Sequence, residues 1–345
     1  MTTVRTPILL RRDPAADSTT ARRIQLSLLM GSLVLFLCGM SLTRSSPLSR
    51  PAVALSSVPT TRTPNPIIAV HSHQDPDYDD EFIAASYIKW IESAGGRAVR
   101  IPWNASKDET ARLLTSVNGL LLPGGDPDPN ESAAFMYNFA LELNRNGSYF
   151  PVWGTCLGFE WLLQLQSTNA KILDNVDAQN LSSTIEFLGP RRESRLFGFD
   201  PVFDILTTEP ITDNFHHFGI LLDHFQATDS ISSFFKPLAT SQDRQGQTYV
   251  AAMEAFKWPV YGVQFHPEKN PYEFGVYEDG IAYETIDHSP AAIATSQAFA
   301  AFFISEATKN SHAFATADEA HTALLYNAKR SDRSYPMYEE VFVFE

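Results

Sequence analysis

The chain has 345 residues, 44% of them hydrophobic and 19% charged. That mix excludes wholesale disorder, a collagen, a coiled coil or a polytopic membrane protein, and the length suits one large domain or two average ones. The net charge is −14, although residues 1–54 hold seven Arg against two Asp, so the rest is more acidic still. Such a body is a poor binder of phosphate backbones, and no nucleic-acid partner is expected.

Residues 1–23 read as a basic cytoplasmic n-region. Residues 24–43 are twenty residues without a charge, about 30 Å as a helix, the thickness of a bilayer core. Five Arg precede the segment and Arg44 and Arg50 follow it, a bias that sends the body across the membrane. Two readings stay open: a signal peptide cut near Ala52 and Ala54, or an uncleaved anchor holding the protein on the membrane. Residues 44–64, rich in Ser, Pro and Thr, read as a linker. Residues 65–345 form the expected catalytic domain. Sequons at Asn104, Asn130, Asn146 and Asn180 are glycosylation candidates and fit a secretory route. Of two cysteines, Cys38 lies in the apolar stretch, so the body holds one thiol, Cys156, and no internal disulfide.

Residues 66–70 are a short apolar run suited to a buried parallel strand. Helical spacing over 79–94 stops at Gly95-Gly96, with the acidic cluster 75–81 read as a solvated face at the helix start. A strand over 98–101 follows, then a helix over 106–116 with Ser106 and Glu109 as a capping box. Strand 119–122 ends in Pro123-Gly-Gly, helix 132–146 comes next, and strand 150–153 leads into a helix over 159–165. This alternation predicts one α/β domain, a mostly parallel central sheet flanked by helices. Residues 176–260 are less regular and are expected to add antiparallel strands. Strand 260–265 and helix 291–309 complete the pattern.

Chemistry concentrates at three places. Gly154-Thr-Cys156-Leu-Gly158 lies between a strand and a helix and has the nucleophile-elbow pattern G-x-[SC]-x-G. The helix N-terminus is expected to lower the thiol pKa and to offer N–H groups to an oxyanion. His266-Pro-Glu268 follows a strand, which suits a His acid/base oriented by a carboxylate. Leu122-Pro-Gly-Gly125 could bring backbone N–H groups to a ligand, or be an ordinary turn. His71, His73, His216, His217 and His224 show no metal-ligand spacing. No metal or cofactor is expected.

Together, P-G-G, G-x-C-x-G and H-P-E resemble the class I glutamine amidotransferase-like hydrolases, whose core is flavodoxin-like. Phe150-Pro-Val-Trp-Gly-Thr-Cys-Leu-Gly-Phe-Glu160 and Val260-Tyr-Gly-Val-Gln-Phe-His-Pro-Glu-Lys-Asn270 resemble one branch, the γ-glutamyl hydrolases. So do Ile83-Ala-Ala-Ser-Tyr-Ile-Lys-Trp-Ile-Glu-Ser-Ala-Gly95 and Asn214-Phe-His216. The resemblance implies a cysteine peptidase that cuts γ-glutamyl bonds in folyl- and antifolyl-poly-γ-glutamates. It implies Cys156 as nucleophile, His266 as acid/base and Glu268 as the carboxylate orienting it. Gly125 and Leu157 would form the oxyanion hole, and Gly124, Glu160 and His216 would line the substrate pocket. It further implies a lysosomal, vacuolar or secreted protein, and a homodimer as in some members. Three loops depart from the family: Ala-Val-His-Ser-His73, the cluster at 75–81, and Asp126-Pro-Asp-Pro129. Hydrolysis of glutamine or other γ-glutamyl amides is the alternative, and an inactive glycosylated binding protein of the same fold the remoter one.

Overall fold

The computed structural model describes residues 62–74, 80–331 and 338–344. The expected segments 1–23 and 24–43, and nearly all of the linker, lie outside the described residues. Among the described residues no helix is long and apolar enough to cross a membrane.

The elements run β1 (Ile67–His71), β2 (His73–Gln74), β3 (Glu81–Ala84), α1 (Ala85–Ser93), β4 (Arg97–Ile101), α2 (Lys107–Leu114), β5 (Gly119–Leu122), α3 (Glu131–Arg145), β6 (Val152–Thr155), α4 (Leu157–Ser167). They continue β7 (Asp174–Ser183), β8 (Glu186–Phe187), β9 (Thr212–Gly219), α5 (Leu222–Ala227), α6 (Asp229–Ser232), β10 (Phe235–Gln242), β11 (Thr248–Ala255), β12 (Val260–Val263), α7 (Pro290–Ala307), α8 (Ala317–Ala323) and β13 (Val341–Phe344).

An eight-stranded sheet has the order β4-β1-β5-β6-β12-β11-β10-β8. Neighbours from β4 through β12 pair in parallel, and β11, β10 and β8 add antiparallel strands, as the irregular middle of the sequence predicts. Strand side chains alternate between two cores. Ile68, Val70, Leu121, Trp153, Tyr261 and Val263 join the side of α1 and α7. Ile67, Ala69, Leu120, Leu122, Val152 and Val260 join that of α2, α3 and α4. A strand with both faces covered reads as an unbroken apolar run, which is why β1, β5 and β6 were legible. The chain leaves β1 for β4 on one side and returns to β5 on the other. That switch point, at the carboxyl ends of the strands, is where open α/β sheets bind ligands.

Caps follow local chemistry. Ser106 Oγ accepts from Glu109 N–H at 3.2 Å, and Asn130 Oδ1 accepts from Ala133 N–H at 2.8 Å. Gly95 has φ +87°, the left-handed C-terminal signal.

The helix expected over 79–94 begins only at Ala85, because Glu81–Ala84 is strand. β3 pairs with β13, Ile83 opposite Phe342, and this distant partner overrides the local helical spacing. Of the acidic cluster, residues 75–79 lie outside the described residues, and Glu81 stands in a strand rather than at a helix start. Glu81 Oε2 instead accepts from Arg100 at 2.6 Å and from the Trp103 N–H at 2.8 Å, pinning β4 to β3.

Candidate active site

Four adjacent parallel strands, β1, β5, β6 and β12, deliver His71–His73, Gly124-Gly125, Cys156 and His266 to one edge of the sheet. Cys156 sits between β6 and α4 with φ 51° and ψ −106°, a strained conformation for a residue with a side chain. The flanking glycines relieve contacts rather than supply the unusual dihedral. A Cβ on Gly158 would stand 2.0 Å from the Leu122 carbonyl oxygen, and one on Gly154 2.5 Å from that of Gly158. Backbone touches backbone there, and the Cys156 N–H is tied to the Val263 carbonyl at 2.9 Å.

His266 Nδ1 lies 2.7 Å from Glu268 Oε1, and both side chains are buried. With Nδ1–H donated to the carboxylate, Nε2 is left to exchange a proton. The His266 N–H donates to the Asp213 carbonyl at 2.9 Å, and the Phe215 ring stands 5.7 Å from the imidazole. β9 thus holds the histidine from the side. A Cβ on Gly124 would meet His266 Cε1 at 2.6 Å, Tyr87 Oη at 2.8 Å and Cys156 Cβ at 3.5 Å, so cysteine and histidine converge on this glycine. The Gly124 N–H donates to Tyr87 Oη at 2.7 Å, which leaves the Gly125 N–H as the turn's remaining donor.

The thiol departs from expectation. Burial, then the charges of Glu160 and Glu268, push its pKa up, outweighing the Leu157 N–H and Lys269, which pull it down. Desolvation of an anion in a 5% exposed side chain exceeds what one helix N-terminus returns. Glu160 is itself pushed up to about 8, by burial and by Asp126 and Asp128. Its carboxyl accepts from Gln264 Nε2 at 2.9 Å. Burial and the two aspartates thus favour its protonated form, which weakens its opposition to a thiolate.

His216 is buried, its Nδ1–H donating to the Phe218 carbonyl at 2.7 Å, and burial lowers its pKa to about 3. Leu157 opens α4, its N–H directed at the thiol. Sequence reasoning missed Tyr87, Gln264, and the buried ion pair of Lys269 with Glu284. Lys269 Nζ also stands 4.6 Å from the Phe215 ring centroid and 5.3 Å from that of Tyr338. Tyr87 and Lys269 lie inside the segments that carried the resemblance. Their roles depend on partners far along the chain.

The sequons differ. Asn104, Asn146 and Asn180 are exposed, and of these Asn180 is engaged in a side-chain hydrogen bond. Asn130 caps α3 and donates from Nδ2 to the Trp103 carbonyl at 2.8 Å, while Asn180 Oδ1 accepts from the Thr285 N–H at 2.7 Å. Among the described residues, no group of His, Cys, Asp or Glu is arranged to hold a metal ion.

An elbow cysteine beside a His–Glu pair, at the switch point of a parallel sheet, defines a cysteine hydrolase on a doubly wound α/β scaffold. Residues 66–268 match the Peptidase C26 family model, and the chain belongs to that family. Among its relatives is gamma-glutamyl hydrolase B of Dictyostelium discoideum, 34% identical over 258 residues, spanning 72% of this chain and 73% of the relative. The gamma-glutamyl hydrolase of Homo sapiens is 38% identical over 257 residues, 72% of this chain and 78% of the relative. That of Bos taurus is 32% identical over 334 residues, 93% and 99%.

Proposed function

We propose that the chain hydrolyses γ-glutamyl bonds of folyl- and antifolyl-poly-γ-glutamates through a thioester on Cys156. The observation that carries this reading is the convergence of Cys156 and the His266–Glu268 pair on Gly124. The thiol rests protonated, so attack begins when His266 Nε2 takes its proton. The sulfur adds to the γ-carbonyl, and the charged oxygen that results accepts hydrogen bonds donated by the Leu157 and Gly125 N–H groups. His266 then protonates the departing glutamate amine, the C–N bond breaks, and the γ-glutamyl thioester remains. Water, losing a proton to His266, adds to the thioester. Collapse expels the sulfur, which takes the proton from His266, and releases the γ-carboxylic acid, which ionises to solvent. Gly124, neutral Glu160 and neutral His216 line the substrate's side, and no cofactor takes part.

A secretory destination, lysosomal, vacuolar or extracellular, belongs to the same proposal, as do membrane anchorage through 24–43 if uncleaved and a homodimer. The four sequons support export, and the exposed Asn104 and Asn146 are its best glycan acceptors. The test is incubation with pteroylpenta-γ-glutamate and resolution of products by mass. Shortened pteroyl-glutamates support the reading. An untouched folate chain with hydrolysis of glutamine would replace the substrate while keeping the site.

A further inference from the structure

Gly124-Gly125 is gripped from two sides. Tyr87 holds it on the side of Cys156, and His73 takes the other. A Cβ on Gly125 would stand 3.0 Å from both Cδ2 and Nε2 of His73. The imidazole is 3% exposed, and neither nitrogen makes a hydrogen bond of normal geometry, although the Pro123 and Gly124 carbonyls lie close enough to act on it. A cage fixes it there: Phe82, Trp103 and Trp161 ring centroids lie 6.4, 5.9 and 5.5 Å away. Trp161 also ties the loop beyond the glycines, its Nε1–H donating to the Pro127 carbonyl at 2.9 Å. A buried polar ring without a well-formed hydrogen bond costs stability that an apolar side chain of similar size would not, so its presence asks for a reason.

The carbonyls of Pro123 and Gly124 face the ring. The Gly124 carbonyl and the Gly125 N–H belong to one trans peptide and point in opposite directions. A carbonyl turned toward His73 therefore turns the N–H away from it, toward the cysteine side. The reversed peptide would set N–H against the imidazole N–H and aim a carbonyl at the developing oxyanion.

We propose that His73 is a positioning residue, whose imidazole fixes the Gly124–Gly125 peptide in the orientation that presents the Gly125 N–H to the oxyanion. The inference rests on the hydrolase reading above. His73→Leu fills the space without an N–H, and His73→Gln keeps an N–H at similar reach. The Leu variant is expected to lose about 10- to 100-fold in kcat, as for a misplaced transition-state group, with KM within about twofold. Alkylation of Cys156 by iodoacetamide should stay within about threefold of wild type, because the cysteine is fixed by its N–H to the Val263 carbonyl, away from His73. The Gln variant should recover at least about half of kcat. If the Leu variant does not fold, His73→Asn, which draws the N–H back by one bond, carries the same expected loss. Unchanged kcat in the Leu variant, equal losses in Leu and Gln, or parallel loss of kcat and alkylation would each overturn the proposal. Assaying wild type and Cys156→Ala alongside separates the two claims. An active wild type with a dead Cys156→Ala upholds the hydrolase whatever His73 does, and an inactive wild type sinks both.

Discussion

Gly124→Ala tests the arrangement of the site by adding a single methyl group. No left-handed dihedral is involved, so the cost is steric alone. The new Cβ would lie 2.6 Å from His266 Cε1 and 2.8 Å from Tyr87 Oη. Ordinary contacts begin near 3.4 Å, so the imidazole must retreat by most of an ångström. It cannot do so freely, since Nδ1 is fixed to Glu268 at 2.7 Å and Phe215 stands against the ring. A displacement of that order costs about 100-fold in rate, or about 2.7 kcal/mol of transition-state stabilisation. Overpacking should cost the fold about 1–3 kcal/mol. The assay is kcat/KM on a γ-glutamyl substrate beside a denaturation midpoint. A folded Gly124→Ala enzyme with kcat/KM near wild type would refute the convergence of cysteine and histidine on this glycine.

Other perturbations have defined signs. Gly158→Ala sets a methyl 2.0 Å from the Leu122 carbonyl oxygen, backbone that cannot step aside, so it should abolish soluble folded protein, read by expression and circular dichroism. Glu268→Gln keeps a hydrogen-bond acceptor for His266 but removes the charge that stabilises imidazolium. It should lower kcat less than Cys156→Ala or His266→Ala, measured side by side on one substrate. His73 has its pKa lowered to about 4 by burial, so the unfolded chain takes a proton that the folded one refuses. Stability should fall as pH drops from 6.5 toward 4, by ~3 kcal/mol from this residue, and His73→Gln should flatten that limb in denaturant titrations. Glu160 carries the opposite sign. Its folded pKa is raised to about 8, so its stability is present at low pH and lost as pH rises through 8, and Glu160→Gln should lose less between pH 6 and 9.

Local signals fixed much of the architecture before any contact was visible. β1, β5 and β6 were apolar runs with both faces covered, and Ser106 announced its helix by capping chemistry, whereas the cap at Asn130 was visible only in the fold. That Cys156 and His266 would stand just beyond strand ends was legible because glycine-flanked turns and strand termini are local patterns. The strand Glu81–Ala84 was not legible, because its partner Val341–Phe344 lies at the far end of the chain. The direction of the thiol's shift was misread for a related reason. Helix polarity is local, whereas burial and the neighbouring carboxylates come from the whole fold. His73 showed as a departure from the family pattern, but only the fold sets its ring against Gly125.

Turnover through Cys156 requires a covalent γ-glutamyl enzyme. Rapid acid quench during turnover of pteroylpenta-γ-glutamate, followed by peptide mass analysis, reads it directly. A transient acyl adduct is expected, confined to the peptide containing Cys156 and absent from Cys156→Ala, which should not turn over. An adduct on another residue, or turnover surviving in Cys156→Ala, would contradict it.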